Sequence, residues 1–214
     1  MNNKFTLPNN CNFILEYNGN VNSLKVLCTI LSEAINRNTE NVLSIPYYTF
    51  KQISTRFKKN GNLYIQSIIT ECINCLHVKR IISNCIYNET SVDIYFHDII
   101  NTFSGNDCTN FFFVNLSDIL YLKTLDAIKI YILCKRNTIY GNYFKNTDFV
   151  RWLGDKKHEK SLFRTVNNSI GMIHKLGLNI EIHKRKDYWY IEKLQEKTVN
   201  DIGDIDLNDD EDDI

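Results

Sequence analysis

The sequence has little of what cofactor loops, catalytic sites and membrane spans are made of. Only 2 of its 214 residues are proline and 8 are glycine, and it contains no glycine-rich phosphate loop, nucleophile elbow or His-Glu-x-x-His motif. No apolar run approaches the roughly 18 residues that a membrane-spanning helix needs. The amino terminus lacks the basic start and apolar core of a secretory signal. We therefore expect a soluble, cytoplasmic protein that is not an enzyme, uses no cofactor and does not enter a membrane.

The seven cysteines do not form a disulfide or metal-binding pattern. Their number is odd, and most stand where an apolar residue would also fit, which is typical of reduced, buried thiols. Cys72 and Cys75, with His77 and Cys85 nearby, have a spacing that zinc ligands can adopt. However, no second close pair is present, and Cys72 falls on the core face of a predicted helix. We expect no metal site.

What the sequence does have is an uneven distribution of charge. The 25 Lys and Arg residues equal the 25 Asp and Glu residues, so the formal net charge is zero. Residues 121–200 hold 16 basic and 8 acidic residues, whereas residues 201–214, which we call the acidic tail, hold 8 acidic residues and no basic one. The chain is therefore a basic domain followed by an acidic tail.

The first half of the chain predicts three helices followed by a β-hairpin. Apolar residues recur with helical spacing over residues 23–36, 48–57 and 63–76. Residues 78–87 and 91–99 are instead rich in Ile, Val, Tyr and Phe and flank a short polar turn. Three short helices followed by a hairpin is the order of a winged helix.

The second half repeats this order of elements. After a strand at residues 110–116, Ser117 can cap a long helix over residues 118–135. A short helix follows over residues 148–153, and a further helix covers residues 159–176.

Two strands, residues 178–182 and 188–191, then enclose a tight basic tip at residues 183–187. We therefore predict an α+β fold of two tandem winged-helix domains. The predicted divisions are an amino-terminal domain (1–116), a carboxy-terminal domain (117–197) and a disordered acidic end (198–214).

The predicted helix over residues 159–176 has one apolar and one basic face. At 100° per residue, its apolar side chains share the inward face. The polar residues on the opposite face or just before the helix are Lys157, Lys160, Ser161, Arg164, Asn168 and Lys175. Lys and Arg can bind phosphate or guanine and Asn can bind adenine, so this face suits a DNA major groove. The alternative is an ordinary solvated face, since Lys and Arg are common on exposed helices.

A basic loop follows this helix immediately. Lys184, Arg185 and Lys186 stand at the predicted wing tip, where a winged helix meets the DNA backbone or the minor groove. A cationic helix face and a cationic wing in one module together favour nucleic-acid binding. The histidines of this region, such as His174 and His183, are expected to face DNA or solvent rather than to be catalytic.

The segment 128–194 resembles the carboxy-terminal winged helix of plasmid replication initiators of the Rep superfamily. The matching features are Ile130-Tyr131 in the first helix, Trp152-Leu153-Gly154 at the end of the short helix, the long helix at 163–176 and the wing at 180–191. The upstream half is similar to the family's amino-terminal winged helix, so the resemblance covers residues 12–194.

This resemblance implies a non-enzymatic initiator that binds repeated origin sequences in double-stranded DNA, helps to open an AT-rich segment and recruits host replication proteins. In this family the carboxy-terminal module supplies most base contacts, and the amino-terminal module mediates homodimerisation or auxiliary DNA binding. By position, Lys160, Ser161, Arg164 and Asn168 would contact bases or phosphates. The three wing-tip cations would hold the backbone.

Other functions are compatible with the same sequence. A winged-helix transcriptional repressor would bind an inverted repeat as a stable dimer, whereas an initiator would load onto direct repeats. A phage or viral protein-interaction module would have kept the fold without binding DNA. The acidic tail is a solubilising end, an electrostatic mimic of DNA that shields the basic module, or a docking peptide for a replication partner.

Overall fold

The described residues form two units that share one order of elements: a long helix, a strand, shorter and longer helices, and a β-hairpin. The computed structural model describes residues 4–9, 11–39, 41–98, 100, 111–140, 143–153 and 159–193. The first unit comprises β1 (Lys4–Pro8), α1 (Asn12–Leu15), α2 (Val21–Asn36), β2 (Val42–Pro46), α3 (Tyr47–Phe50), α4 (Thr55–Lys59), α5 (Gly61–Asn74), a 3₁₀ turn (Val78–Arg80), β3 (Ile82–Tyr87) and β4 (Ser91–Phe96). The connecting elements are β5 (Phe111–Asn115) and α6 (Leu116–Tyr121). The second unit comprises α7 (Leu125–Tyr140), β6 (Tyr143–Lys145), α8 (Asn146–Leu153), α9 (Glu159–His174), β7 (Ile180–Lys184) and β8 (Tyr188–Lys193).

Each unit contains a three-stranded antiparallel sheet with the same strand order. In the first unit β4 lies between β2 and β3, and in the second unit β8 lies between β6 and β7. In both, one strand follows the first long helix, and a hairpin follows the last helix of the unit, which is α5 in the first and α9 in the second. This is the winged-helix topology, and the α+β fold of two tandem winged helices that the sequence predicts is confirmed. The domain boundaries remain a prediction.

α2 is the central helix of the first unit. Leu24, Leu27 and Leu31 are fully buried, as their spacing predicts. Ser23 and Thr29 are also fully buried, so α2 is enclosed on more than the one face that an amphipathic helix would bury. The reason is that α5 and β2 contact one part of its surface while β1 and α6 contact another. β1, which pairs antiparallel with β5, was not predicted.

Each unit buries one lysine at the fifth position of its first long helix. Lys25 is 6% exposed, and its Nζ donates a hydrogen bond to the carbonyl oxygen of Leu120 at 2.6 Å, in the last turn of α6. Lys129 is 5% exposed, and its Nζ donates to the carbonyl oxygen of Trp152 at 2.6 Å, in the last turn of α8. The carboxyl end of a helix has unpaired carbonyls and partial negative charge, so it stabilises a cation there. Burial lowers the pKa of Lys25.

The single long helix predicted over residues 118–135 is wrong, because the chain forms α6 and α7 there instead. Asn115, not Ser117, caps α6: its side-chain oxygen accepts a hydrogen bond from the Ser117 backbone N–H at 3.2 Å. Thr124 caps α7 through its hydroxyl oxygen, which accepts from the Ala127 backbone N–H at 3.2 Å. Each of these caps begins a helix, whereas α6 ends before Leu122, whose backbone is extended.

Smaller differences concern the ends of elements in the first unit. The helix predicted over residues 48–57 is interrupted, because the backbone of Ser54 is extended between α3 and α4. α5 ends at Asn74, before Cys75, whose backbone is also extended, and the predicted hairpin loses its first residues to the 3₁₀ turn. No helix among the described residues is long and apolar enough to cross a membrane.

Candidate nucleic-acid interface

α9 packs against α7 and β7 along the face that the sequence predicts to be apolar. Leu162, Val166 and Ile173 are buried there, and Ile170 is half-buried. Because the polar residues lie on the opposite side of the helix from these apolar ones, the polar face points away from the core.

The predicted polar face of α9 is open to solvent. Its exposed members are Lys160, Ser161, Arg164, Asn168 and Lys175, the last of which directly follows the helix. None of these five side chains forms a hydrogen bond or ion pair with another residue that the structure describes. Lys157 lies outside the described residues. The face therefore presents three cations, a hydroxyl and an amide that are free to bind phosphates and base edges.

The wing strand β7 lies two residues further along the chain than the predicted strand at 178–182, and both have five residues. β7 continues to Lys184, which pairs with Trp189 of β8, so the tip begins at Arg185. The tip is closed by hydrogen bonds from the Arg185 N–H to the Tyr188 carbonyl at 2.8 Å and from the Tyr188 N–H to the Arg185 carbonyl at 3.3 Å. Arg185 and Lys186 are exposed, whereas Lys184 is half-buried in the strand. Two of the three predicted tip cations thus lie at the tip.

An aromatic ring orients the guanidinium of Arg185. It lies over the ring of Tyr190, 5.3 Å from the ring centroid, and Tyr190 stacks on His183 with 4.8 Å between centroids. Cation–π contact restricts an arginine that would otherwise be mobile, so less side-chain entropy is lost when it binds phosphate. The prediction that places His183 in the tip is wrong: it lies in β7, with Nε2 3.2 Å from the Glu181 carboxylate and 3.4 Å from that of Glu192.

Contacts between aromatic residues connect the wing to α8 and α9. The ring of Trp189 stacks on Phe149 of α8 at 4.6 Å and contacts Phe163 of α9 at 5.0 Å. The indole N–H of Trp189 donates to the Asn146 side-chain oxygen at 2.8 Å. The backbone N–H of Asn146 in turn donates to the carbonyl oxygen of Asp187 in the wing tip at 3.0 Å. These contacts fix the position of the tip relative to the polar face of α9.

His174 closes the connection between α9 and β7. Its Nε2 lies 2.8 Å from the carbonyl oxygen of Ile180. Gly177 has a φ of +76°, in the left-handed region that favours glycine. His174 therefore has a structural role, which its position in the sequence did not indicate.

The first unit carries different chemistry on the equivalent elements. α5 exposes Leu63, which is 80% accessible, together with Ser67, Thr70 and Glu71. The turn between β3 and β4 contains Glu89 and no cation. The exposed cations nearest to α5 in sequence are those of α4: Arg56, Lys58 and Lys59. A cationic third helix with a cationic wing is thus a property of the second unit.

The cysteines do not assemble into a metal site in the described ranges. No group of three His, Cys, Asp or Glu side chains there is arranged to hold a metal ion. Cys72 is fully buried, and burial raises the pKa of its thiol, which disfavours the thiolate that zinc needs. Cys75 donates from Sγ to the side-chain oxygen of Asn18 at 3.7 Å.

Comparison with known proteins identifies the fold. No protein-family model matches the chain, and neither does any curated protein. Among solved structures, the chain is similar to the Pi initiator protein in its complex with iteron DNA, with 16% sequence identity and a TM-score of 0.60. The match covers 92% of this chain and 99% of the Pi chain. The resemblance to plasmid replication initiators that the sequence predicts is therefore confirmed at the level of the fold.

Proposed function

We propose that this protein is a sequence-specific, double-stranded DNA-binding replication initiator of plasmid or phage type. The observation that carries this proposal is the polar face of α9. Lys160, Arg164 and Lys175 are exposed there without a described partner, and Arg185 and Lys186 are exposed on the adjoining wing. The Pi protein, which shares the fold, is bound to iteron DNA in its solved structure. By analogy, we infer that this chain binds repeated origin sequences.

α9 is the element that reads the bases. Lys160, Arg164 and Asn168 follow one another at four-residue intervals, so they form one line along the exposed face. A bidentate contact of Arg164 to guanine and of Asn168 to adenine would give specificity, whereas Ser161, Lys160 and Lys175 would bind phosphates. Arg185 and Lys186 at the wing tip, together with Lys157 and Lys184, would make the remaining contacts with the DNA backbone.

We assign initiation to the whole chain and DNA reading to the second unit. Binding would help to open an AT-rich segment and to recruit host replication proteins, by a non-enzymatic mechanism in the cytoplasm. The first unit would mediate homodimerisation or auxiliary DNA binding. An arrangement of monomers on direct repeats would indicate an initiator, and a stable dimer on an inverted repeat would indicate a repressor.

The test begins with selection of bound sequences from a random duplex library, followed by fluorescence anisotropy on selected and random duplexes. Arg164→Ala should lower the preference for the selected duplex roughly 5- to 150-fold, as expected for one lost bidentate base contact. Arg37→Ala is the matched control, because Arg37 is paired with Glu33 at 2.6 Å at the end of α2 in the first unit. It removes the same charge and should leave the preference unchanged.

A salt series separates the role of the wing from that of α9. Each lost phosphate contact lowers the steepness of the slope of log affinity against log salt concentration by about 0.9. Alanine at 184, 185 and 186 should therefore flatten this slope while the preference for the selected sequence is retained. The control replaces Arg37, Lys79 and Arg80 by alanine, which removes three positive charges from the first unit. If a chain without the acidic tail binds no duplex even at low salt, the proposal is wrong and a protein-interaction role takes its place.

A further inference from the structure

The exposed cations of α9 and the wing are opposite in charge to the acidic tail that follows them in the chain. We call these cations, Lys160, Arg164, Lys175, Arg185 and Lys186, the basic face. These five exposed cations compare with eight carboxylates, and no cation, in residues 201–214. Resting on the DNA-binding function proposed above, we infer that the acidic tail occupies the basic face when DNA is absent and competes with DNA for it.

The chain leaves the second unit beside the end of α9. The last residue of β8, Lys193, is paired with Ile180 at the start of β7. The carbonyl oxygen of Ile180 is 2.8 Å from Nε2 of His174, the last residue of α9. The segment that leads to the acidic tail therefore starts at the end of the basic face where Lys175 lies.

The lengths allow the tail to cover the whole face. The seven residues from 194 to 200 span at most about 25 Å when extended. α9 has 16 residues and is about 24 Å long. The first acidic residue, Asp201, can therefore reach any point from Lys175 to Lys160, and the 14 residues of the tail span up to about 50 Å beyond it.

The chemistry of the tail resembles that of the ligand it would displace. Duplex DNA is a polyanion whose contacts with Lys and Arg are largely insensitive to sequence. The tail offers eight carboxylates to cations that have no other described partner, except for the contact of Arg185 with Tyr190. A short tether gives an effective concentration in the millimolar range, so even a weak tail–face contact would compete with DNA. The tail would raise the apparent Kd of random and selected duplexes by the same factor, so the weakly bound random duplex would lose the larger share of its occupancy.

Affinity for DNA provides the first test. Deletion of residues 201–214 should tighten binding to a random duplex about tenfold at low salt, and the difference should shrink as salt rises. Replacement of the eight acidic residues by Asn and Gln should reproduce the deletion. Replacement of Ile202, Ile205, Leu207 and Ile214 by Ser should not, because these side chains carry no charge. The reverse pattern would show that apolar contacts and not charge hold the tail, and it would overturn the proposal.

A second test does not depend on DNA. Zero-length coupling of carboxylates to amines in the full chain, at protein concentrations low enough to suppress intermolecular products, should join the tail to lysines 160, 175 and 186. Lysines 58, 59 and 79 of the first unit are the matched controls, since they are also exposed. Equal coupling to both sets would overturn the proposal.

The two tests also separate this inference from the DNA-binding function. Selective coupling to the basic face, with no DNA binding after the tail is removed, would leave the tail contact in place and reject the proposed function. DNA binding with an affinity that is unchanged by the deletion would retain the function and reject the tail as a competitor.

Discussion

The two tryptophans of the chain allow one substitution to be made at two sites that differ in hydrogen bonding. Trp189 and Trp152 both lie in the second unit and are 0% and 5% exposed. The Trp189 indole N–H donates to Asn146 at 2.8 Å, whereas that of Trp152 is buried with no hydrogen-bond partner among the described residues. Both rings contact phenylalanines, so Trp→Phe removes comparable packing in each case.

The expected free energies of unfolding follow from this difference. At either site, the lost area and the cavity left by the smaller ring cost about 1–2 kcal/mol. Trp189→Phe also breaks a hydrogen bond, which adds about 1 kcal/mol because Asn146 is half-buried and water can replace the donor in part. Trp152→Phe removes a buried donor without a described partner, which offsets about 1 kcal/mol or more of its packing loss. We therefore expect Trp189→Phe to destabilise by about 2 kcal/mol more than Trp152→Phe.

Urea unfolding followed by tryptophan fluorescence measures this difference directly. Each variant keeps one tryptophan, and both probes report on the second unit. Asn146→Ala in the wild-type and in the Trp189→Phe background completes a double-mutant cycle, whose coupling energy should equal the hydrogen-bond contribution. Equal destabilisation by the two Trp→Phe substitutions, or a coupling energy near zero, would refute the reasoning.

Three further predictions concern backbone conformation, charge and pH. Gly177→Ala should lower the free energy of unfolding by about 1–2 kcal/mol, because φ of Gly177 is +76°. Gly171→Ala should raise it by about 0.5–1 kcal/mol, because Gly171 lies in the exposed middle of α9 and a Cβ there meets no atom within 4 Å. Thermal unfolding compares the pair, and the same sign for both would contradict the argument. Arg151→Ala removes an ion pair with Glu16 at 3.1 Å, and the arginine side chain is 51% exposed. In urea unfolding, the loss of free energy of unfolding should therefore stay below about 1 kcal/mol and vanish at 1 M salt. A larger loss that does not depend on salt would contradict a solvent-screened ion pair. Burial raises the pKa of Cys28 to about 12, so above the ordinary thiol pKa the unfolded chain releases a proton that the folded chain keeps. The free energy of unfolding should therefore fall by about 1.4 kcal/mol per pH unit from this group up to pH 12. Cys28→Ala should remove that share of the slope, and an unchanged slope would show that the thiol is not protected.

The spacing of apolar residues predicted correctly the helices that bury only one of their faces. α9 is the clearest case, because the positions of Leu162, Val166 and Ile173 determine which side chains point outward. The exposed line from Lys160 to Asn168 then follows without knowledge of any other element. For the same reason the sequence predicted which polar side chains of α9 are exposed, whereas their role in binding DNA stays a prediction.

Other parts depend on contacts that periodicity does not report. The apolar pattern continues through Leu122, which is fully buried between α6 and α7. In the sequence, the break is marked only by Thr124, whose side chain caps α7. β6 has three residues, too few for an alternating pattern, and it exists because Tyr143 and Lys145 pair with β8. The extension of β7 to Lys184 likewise comes from pairing with β8 and not from local preference.

The buried lysines show how one scaffold can serve two purposes. Lys25 and Lys129 occupy the same position in equivalent helices, and each satisfies a buried ammonium with a carbonyl in the last turn of another helix. Lys129 bonds to α8, the helix whose Asn146 holds both Trp189 and the wing tip, so its contact supports the geometry of the interface. Lys25 bonds instead to α6 and fastens the connector onto the first unit. The two lysine contacts thus stabilise the candidate interface in the second unit and the attachment of the connecting helix α6 in the first unit. Among the described residues, the cationic helix and wing are likewise confined to the second unit.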